Sequence, residues 1–311
     1  MVSFRCPGAI TTASVPPARA RLDAGLVHAG FFAFDVIRGG NVYSREVLFG
    51  RMLGLVTEEQ LRALGKATVA IPGCGGTGYT YAECLARMGI GNFRLSDTDR
   101  FGPENMNRQF GATVDTVGRL KSEVLEERLR SINPEITVTR FPDIDEDNVS
   151  DFVAGASALC DTIDFFAMNE RRMLHRQALI HKVPTVLCCP VAYGVTGHYF
   201  NYHENDRIDF DVLFHQSDSN DEQQNLENFG NTLAPNALHR AYLDDPNLDF
   251  ENHKVASVSA SCLLATSWGS MQAVCAILGL PSQFRPVPEM YEFDLRAMQF
   301  VSSSMSTAVL G

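Results

Sequence analysis

Apolar and polar positions along this chain change their period several times, and each change marks an element. Ala67 to Ile71 is a short apolar, β-branched run of the kind that forms a buried strand, and it leads straight into Gly73-Cys74-Gly75-Gly76-Thr77-Gly78. Thr77 to Met88 has helical content and stops at Gly89 and Gly91. Asn92 to Leu95 reads as a second strand, ending at Asp97. Between residues 118 and 132, Leu120, Val124, Leu129 and Ile132 share one helical face, with Glu126 and Arg130 at i,i+4 spacing. Asn133-Pro134 ends that helix, and Ile136 to Phe141 is a third strand. Ala158 to Cys160 and Thr185 to Cys189 are further buried strands, separated by a helix from about Glu170 to His181. Such alternation predicts an α/β fold whose sheet is mostly parallel and covered by helices on both faces.

The flanks lack this rhythm. Residues 1–40 read as an arm with scattered Pro and Gly and a short apolar patch at Phe31, Phe32 and Phe34. Regular structure is expected from Tyr43, and Thr57 with Gln60 has the spacing of a capping box. From Glu204 to Glu251 twelve acidic residues face two basic ones, so about 203–254 reads as an acidic insertion or crossover, with a helix near 234–243. It interrupts one domain spanning 41–311. No charge occurs between Lys254 and Arg285, but its serines, Gln272, Gly279 and Pro281 predict a buried helix rather than a membrane span. Met290 to Leu295 is a last strand before a Ser-rich tail.

Composition narrows the function. The formal net charge is −11 over 311 residues, which argues against nucleic acid and anionic membrane as general partners. Eight cysteines contain no Cys-x-x-Cys, so no structural zinc is expected, and reduced, mostly buried thiols fit a cytoplasmic protein. No basic segment followed by an apolar run opens the chain, so no secretory signal is expected. Cys188 and Cys189 end a strand and point to opposite faces, so one of them belongs to the core. Cys74 reads as packing within the glycine loop. His175, His181, His198, His203 and His215 form no metal-ligand spacing.

A glycine-rich turn between strand and helix is a phosphate cradle, because its amides and the helix N-terminus favour negative charge. Gly73, Gly75, Gly76 and Gly78 supply the turn, and Asp97 stands where a carboxylate can accept ribose hydroxyls. NAD and ATP both satisfy that much. A triphosphate attacked at its α-phosphorus also needs fixed cations, which Arg108 and Lys121 supply, and Gln109 adds a donor.

Gly-x-Gly-Gly-x-Gly, then Asp97-Thr98-Asp99, then Asn105-Met106-Asn107-Arg108-Gln109, then Lys121 resembles the signature of the ThiF/MoeB/HesA family of ubiquitin-activating-enzyme-like adenylyltransferases. The resemblance runs from about Tyr43 to Phe200. It implies a Rossmann-like mixed sheet, parallel in its N-terminal half, that binds ATP and Mg2+. Carried over by position, it implies that Gly76 lies against the phosphates and Asp97 holds the ribose. Asn107, Arg108 and Lys121 clamp the phosphates, and Asp99, Asn105 and Gln109 complete the motif. Arg45, in Tyr43-Ser44-Arg45-Glu46, reaches the ATP of the opposite subunit of a homodimer. Asp164, in Asp161-Thr162-Ile163-Asp164, is the magnesium-associated carboxylate. The family's usual Asn after that aspartate is replaced by Phe165. No cysteine occurs from Pro190 through Ser261, where thioester-forming members carry theirs.

The leading expectation is therefore adenylation of a carboxylate borne by a ubiquitin-like carrier, a peptide or a small acid. A tRNA-modifying dehydratase of the same superfamily is the alternative, opposed by the acidic segment. A nucleotide-binding partner protein without turnover, and an NAD-dependent redox enzyme, are the remaining readings.

Overall fold

The computed structural model describes residues 43–204, 207–236, 238, 242 and 256–305. The arm at 1–40 and most of the helix expected near 234–243 lie outside the described residues, and Ala234 to Asn236 are bend and turn. The chain divides into two units, Met1–Ser44 and Arg45–Gly311, and all that follows concerns the second.

After α1 (Arg45–Phe49), helix α2 (Glu58–Lys66) opens on the expected capping box. The Gln60 N–H donates to Thr57 Oγ1 at 3.1 Å, and the Thr57 N–H donates to Gln60 Oε1 at 2.8 Å. Strand β1 (Thr68–Pro72), helix α3 (Gly76–Arg87), strand β2 (Asn92–Ser96), helix α4 (Lys121–Ile132) and strand β3 (Thr137–Phe141) follow in the predicted order. Then come α5 (Val149–Val153), β4 (Ala158–Cys160), α6 (Met168–Ile180), β5 (Thr185–Val191) and β6 (Gly194–Phe200). The acidic segment holds α7 (Phe210–Leu213) and α8 (Glu222–Leu233), and the chain continues with α9 (Ser259–Leu278), β7 (Glu289–Asp294) and β8 (Gln299–Ser304).

The eight strands of the described residues form one sheet in the order β3-β2-β1-β4-β5-β6-β7-β8. β1 pairs parallel with β2 and β4, and the parallel ladder extends to β3 and β5. From β5 onward every pairing is antiparallel. The mixed sheet with a parallel N-terminal half is as expected, but two strands were not. Gly194–Phe200 is a fully buried strand, and part of the Ser-rich tail is β8, not an irregular end.

Side chains alternate across the sheet and divide the core in two. Val69, Ile71, Ala158, Cys160, Val186 and Cys188 meet α3, α4 and α9 on one face. Ala70, Leu159, Leu187 and Phe200 meet α5, α6, α7 and α8 on the other. By length and composition α9 could cross a membrane, yet it lies against α3, β5 and β6 with Ser261, Thr266, Ser270 and Gln272 buried. Small residues let it approach closely: a Cβ on Gly269 would stand 1.6 Å from the Tyr81 hydroxyl.

Candidate active site

The strand order reverses between β1 and β4, so the chain leaves these neighbours toward opposite faces and opens a crevice at their carboxyl ends. The glycine loop fills one side. Gly73 has φ +117°, and a Cβ there would meet the Thr162 carbonyl oxygen at 2.7 Å. A Cβ on Gly78 would stand 1.7 Å from the Gly73 oxygen, so α3 packs directly on the loop. Thr162, after β4, ties the two strands together by donating its hydroxyl to the Gly73 oxygen at 3.0 Å. Helix α3 begins at Gly76 with no side-chain cap, leaving first-turn amides for a ligand.

Asp97 braces this loop. Its Oδ2 accepts the Cys74 N–H at 2.7 Å, and its Oδ1 accepts the Asp99 N–H at 2.9 Å. Burial pushes its carboxyl above the ordinary range against the pull of Lys121 and the two amides. Lys121, at the first position of α4, is buried and donates Nζ to Asp99 Oδ2 at 2.8 Å. Arg108 Nη1 donates to Asn107 Oδ1 at 2.9 Å and to the Glu104 oxygen at 3.3 Å. Asn107 Nδ2 reaches the Ser257 oxygen, ahead of α9, at 3.0 Å.

Across the crevice, Asp161 directly follows β4 and lies in a buried cluster. Arg171 Nε donates to its Oδ2 at 3.0 Å, and His175 Nε2 lies 3.0 Å from the same oxygen. Burial pushes the Asp161 carboxyl up, but the Arg171 guanidinium and the His175 hydrogen bond outweigh it and hold the group below its ordinary value. Arg171 also donates to the carbonyls of Ile163 and Phe165, so it fixes the loop that carries Asp164. Asp164 is exposed, and its Oδ1 accepts the Phe166 N–H at 3.0 Å.

These walls enclose a cavity of about 1260 Å³. Single small-molecule sites run to about 1,000 Å³, so a nucleotide leaves room for a second reactant. Gly73, Gly75, Gly76, Asp97, Asp99, Arg108, Gln109, Lys121 and Asp164 all line it. Four other candidates that the sequence put in the site are not on the cavity wall. Gly78 lies behind the loop as the packing contact just described. Asn107 flanks the cavity through its bond to Ser257. Asn105 is buried and its side chain accepts the Gly102 N–H at 3.0 Å, which shapes the turn ahead of Arg108. Arg45 donates to the carbonyls of Leu61 and Gly89 and lies over the Phe49 ring at 5.1 Å, docked on its own chain away from the cavity.

Sequence reasoning passed over part of the wall. Gln223, Leu226 and Glu227 of α8 line the cavity, as does Phe165, which packs against Phe166 and Phe229 with centroids 5.2 and 5.5 Å away. The acidic composition of that stretch masked its amphipathic helix. Cys262 also lines the cavity, one residue past the stretch without cysteine. Cys188 is core and Cys189, on the opposite face, lines the cavity; burial pushes both thiols up to about 12. Among the described residues carboxylates outnumber cations on the wall: Asp97, Asp99, Glu104, Asp143, Asp164, Glu170 and Glu227 stand against Arg108 and Lys121.

A glycine loop at the switch point of a doubly wound sheet, with two cations beside it, defines an α/β protein of the Rossmann-like class. The ThiF family pattern matches residues 47–308, and the chain belongs to the ThiF family. It is 41% identical over 121 residues to a tRNA threonylcarbamoyladenosine dehydratase of Haemophilus influenzae, covering 38% of this chain and 46% of that one. It is 31% identical over 165 residues to the molybdopterin-synthase adenylyltransferase of Salmonella typhimurium, covering 53% of this chain and 64% of that one. The crystal structure of PaaA superposes with a TM-score of 0.62 at 19% identity, over 84% of this chain and 83% of that one, a likeness of fold. The chain spans about half the length of the first of these curated relatives.

Proposed function

We propose that this chain is an ATP-dependent adenylyltransferase that activates a carboxylate as its acyl-adenylate. The observation that carries the reading is the buried Lys121 beside the uncapped end of α3, an anion site with a fixed cation that a dinucleotide pyrophosphate does not require. Each oxygen of Asp97 accepts one amide and keeps a second lone pair for a ribose hydroxyl. A carboxylate oxygen of the substrate attacks the α-phosphorus, the bond to the bridging oxygen breaks, and pyrophosphate leaves with the electron pair. Lys121, Arg108 and the Gln109 amide stabilise the charge that develops.

The residues present fit one magnesium ion bound largely through the nucleotide. Asp164 offers a cavity-lining carboxylate with one oxygen engaged by an amide, and among the described residues no cluster of three or more His, Cys, Asp or Glu could hold a metal. One carboxylate plus substrate phosphates is the usual style for this ion, which neutralises phosphate charge when bound. Arg45 would serve from the partner of a homodimer, after releasing the Gly89 carbonyl.

The second reading, a tRNA-modifying dehydratase, is favoured by the identity to such enzymes. It is opposed by the excess of carboxylates on the cavity wall, since phosphate contacts dominate RNA affinity. Calorimetric titration with Mg-ATP and with NADH, on wild type and Lys121→Ala, tests the main reading. ATP binding that weakens in the variant, without an NADH signal, supports it. NADH binding, or no nucleotide binding, removes it.

A further inference from the structure

We propose that Phe165 and the notch beside Gly230 of α8 form the acyl subsite of the cavity, which takes a monocarboxylic acid with an apolar body. This inference rests on the adenylation reading and adds the class of its second reactant. Helix α8 presents two faces. Asn225 and Phe229 are buried, whereas Gln223, Leu226, Glu227, Gly230 and Asn231 line the cavity at the three- and four-residue spacing of one stripe. Gly230 lies within that stripe in helical backbone without a positive φ, so no turn requires a glycine there. Inside a helix glycine is unfavourable against alanine. What its bare Cα leaves is space. Among the described residues, and beyond the backbone of α8 itself, the one atom within 4 Å of a Cβ there would be Phe165 Cζ, at 3.6 Å.

Phe165 is the other side of the notch, and it stands where the family pattern has a polar Asn. Its ring is held by Phe166 and Phe229, and its carbonyl oxygen accepts Arg171 Nη1 at 3.3 Å. Ile163, Val191 and Leu226 line the same cavity and pack on the same core as Phe165, and all four are only half-buried. Apolar side chains left half-covered in a cavity gain by meeting an apolar group of the ligand. Phe165 directly follows Asp164, so this wall begins beside the reacting end of the proposed nucleotide.

Charge narrows the class further. Glu227 lies three residues before Gly230 on the cavity stripe, and Glu170 lines the cavity from the first turn of α6. The two helices meet there, where Asn169 Nδ2 reaches Glu222 Oε1 at 3.5 Å. A second carboxylate on the ligand would meet like charge at this end of the wall, so a diacid is disfavoured against an apolar monoacid. The single carboxylate of the substrate then points back toward Lys121 and Arg108, and its apolar body lies against Phe165.

The test compares three stable probes by calorimetry: 5′-O-(N-acetylsulfamoyl)adenosine and its N-(3-phenylpropanoyl) and N-(3-carboxypropanoyl) counterparts. Wild type is expected to bind the phenylpropanoyl compound about tenfold more tightly than the acetyl compound, and the carboxypropanoyl compound no more tightly than the acetyl one. Gly230→Leu fills the notch with a residue that favours the helix, and should bring the phenylpropanoyl-to-acetyl ratio close to one. Gly230→Ala adds a single methyl group and should lower the ratio part of the way. Circular dichroism confirms folding, and Gly230→Ala decides if the leucine variant does not fold. A wild-type ratio near one, a ratio unchanged in a folded variant, or tighter binding of the carboxypropanoyl than of the phenylpropanoyl compound overturns the inference while adenylation stands. Failure of wild type to bind any of the three is a different result, because it removes the nucleotide site they share and the inference with it.

Discussion

Lys121 donates to Asp99 over 2.8 Å, and the two ends of that ion pair are unequally exposed: the lysine side chain is 9% accessible and the aspartate 75%. An exposed carboxylate loses little when its partner turns away, so the cation is held in position without being committed. A triphosphate offers it a stronger partner. Lys121→Ala is expected to lower kcat/KM for pyrophosphate release by about 10²–10³-fold, the cost of one preorganised charge-stabilising group. A loss of less than tenfold would show that Lys121 serves only the ion pair.

Arg171 binds Asp161 and two loop carbonyls from a fully buried position. Arg171→Met leaves the carboxylate without its charged partner and should cost about 3–5 kcal/mol in a denaturant titration. The loop bearing Asp164 loses its anchor in the same variant. If stability changes by less than 1 kcal/mol, His175 and the Ile163 amide alone hold Asp161.

His198, in β6, is fully buried, and its ring lies against Phe214 with centroids 5.3 Å apart. Burial, with His175 nearby, holds its pKa down to about 3, from an ordinary value of 6.5. The unfolded chain therefore takes up this proton first on acidification. Its contribution to stability is whole above pH 6.5 and is lost as the pH falls toward about 3. The slope from this one group is at most about 1.4 kcal/mol per pH unit. His198→Leu should flatten the decline in Tm between pH 6.5 and 4, and an unchanged slope would assign the decline to carboxylates.

Gly78→Ala places a methyl group 1.7 Å from the Gly73 carbonyl, and neither backbone can give way without opening the loop. A loss of about 3 kcal/mol or more is expected, measured by thermal melting. Gly118→Ala serves as the control for strain without crowding: φ there is +84°, and no atom lies within 4 Å of the added carbon.

Lys182 follows α6 in the left-handed region, φ 54°, while the Val183 N–H closes onto the Ala178 oxygen at 2.8 Å. Glycine is the residue suited to such a helix end. Lys182→Gly is expected to raise stability by about 0.5–1 kcal/mol, seen as a higher Tm.

The parallel half of the fold was legible because its strands are continuous apolar runs punctuated by glycine. Much of the cavity wall beside the glycine loop was legible because it is local in sequence: the loop and the stretch from Asp97 to Lys121 are nearly contiguous. β6 was hidden by its turn. Val191 pairs with Gly194, so the connection is Ala192-Tyr193, and Ala192 takes φ 48° without the Gly or Asn that usually announces a tight hairpin. β8 was hidden by its serines, which are compatible with an exposed edge strand but do not signal one. Cys262 and α8 reach the cavity only through tertiary packing, which no spacing along the chain records. Arg45 reads as a site residue from its neighbours in sequence, and in this chain its Nη2 donates to the carbonyls of Leu61 and Gly89, a contact that only the fold reveals.

The cavity wall draws on segments from Pro72 to Cys262, contributed by both faces of one sheet. No short fragment contains it, so whatever occupies it binds the folded chain and not the unfolded one. Occupancy and global unfolding are then a single linked equilibrium, in which a ligand at a hundred times its dissociation constant adds about 2.7 kcal/mol. The melting transition of the intact protein thereby becomes an assay for the missing reactant. On the proposed adenylation reading, carboxylic acids added one at a time with Mg-ATP can be ranked by heat alone, before any turnover has been observed.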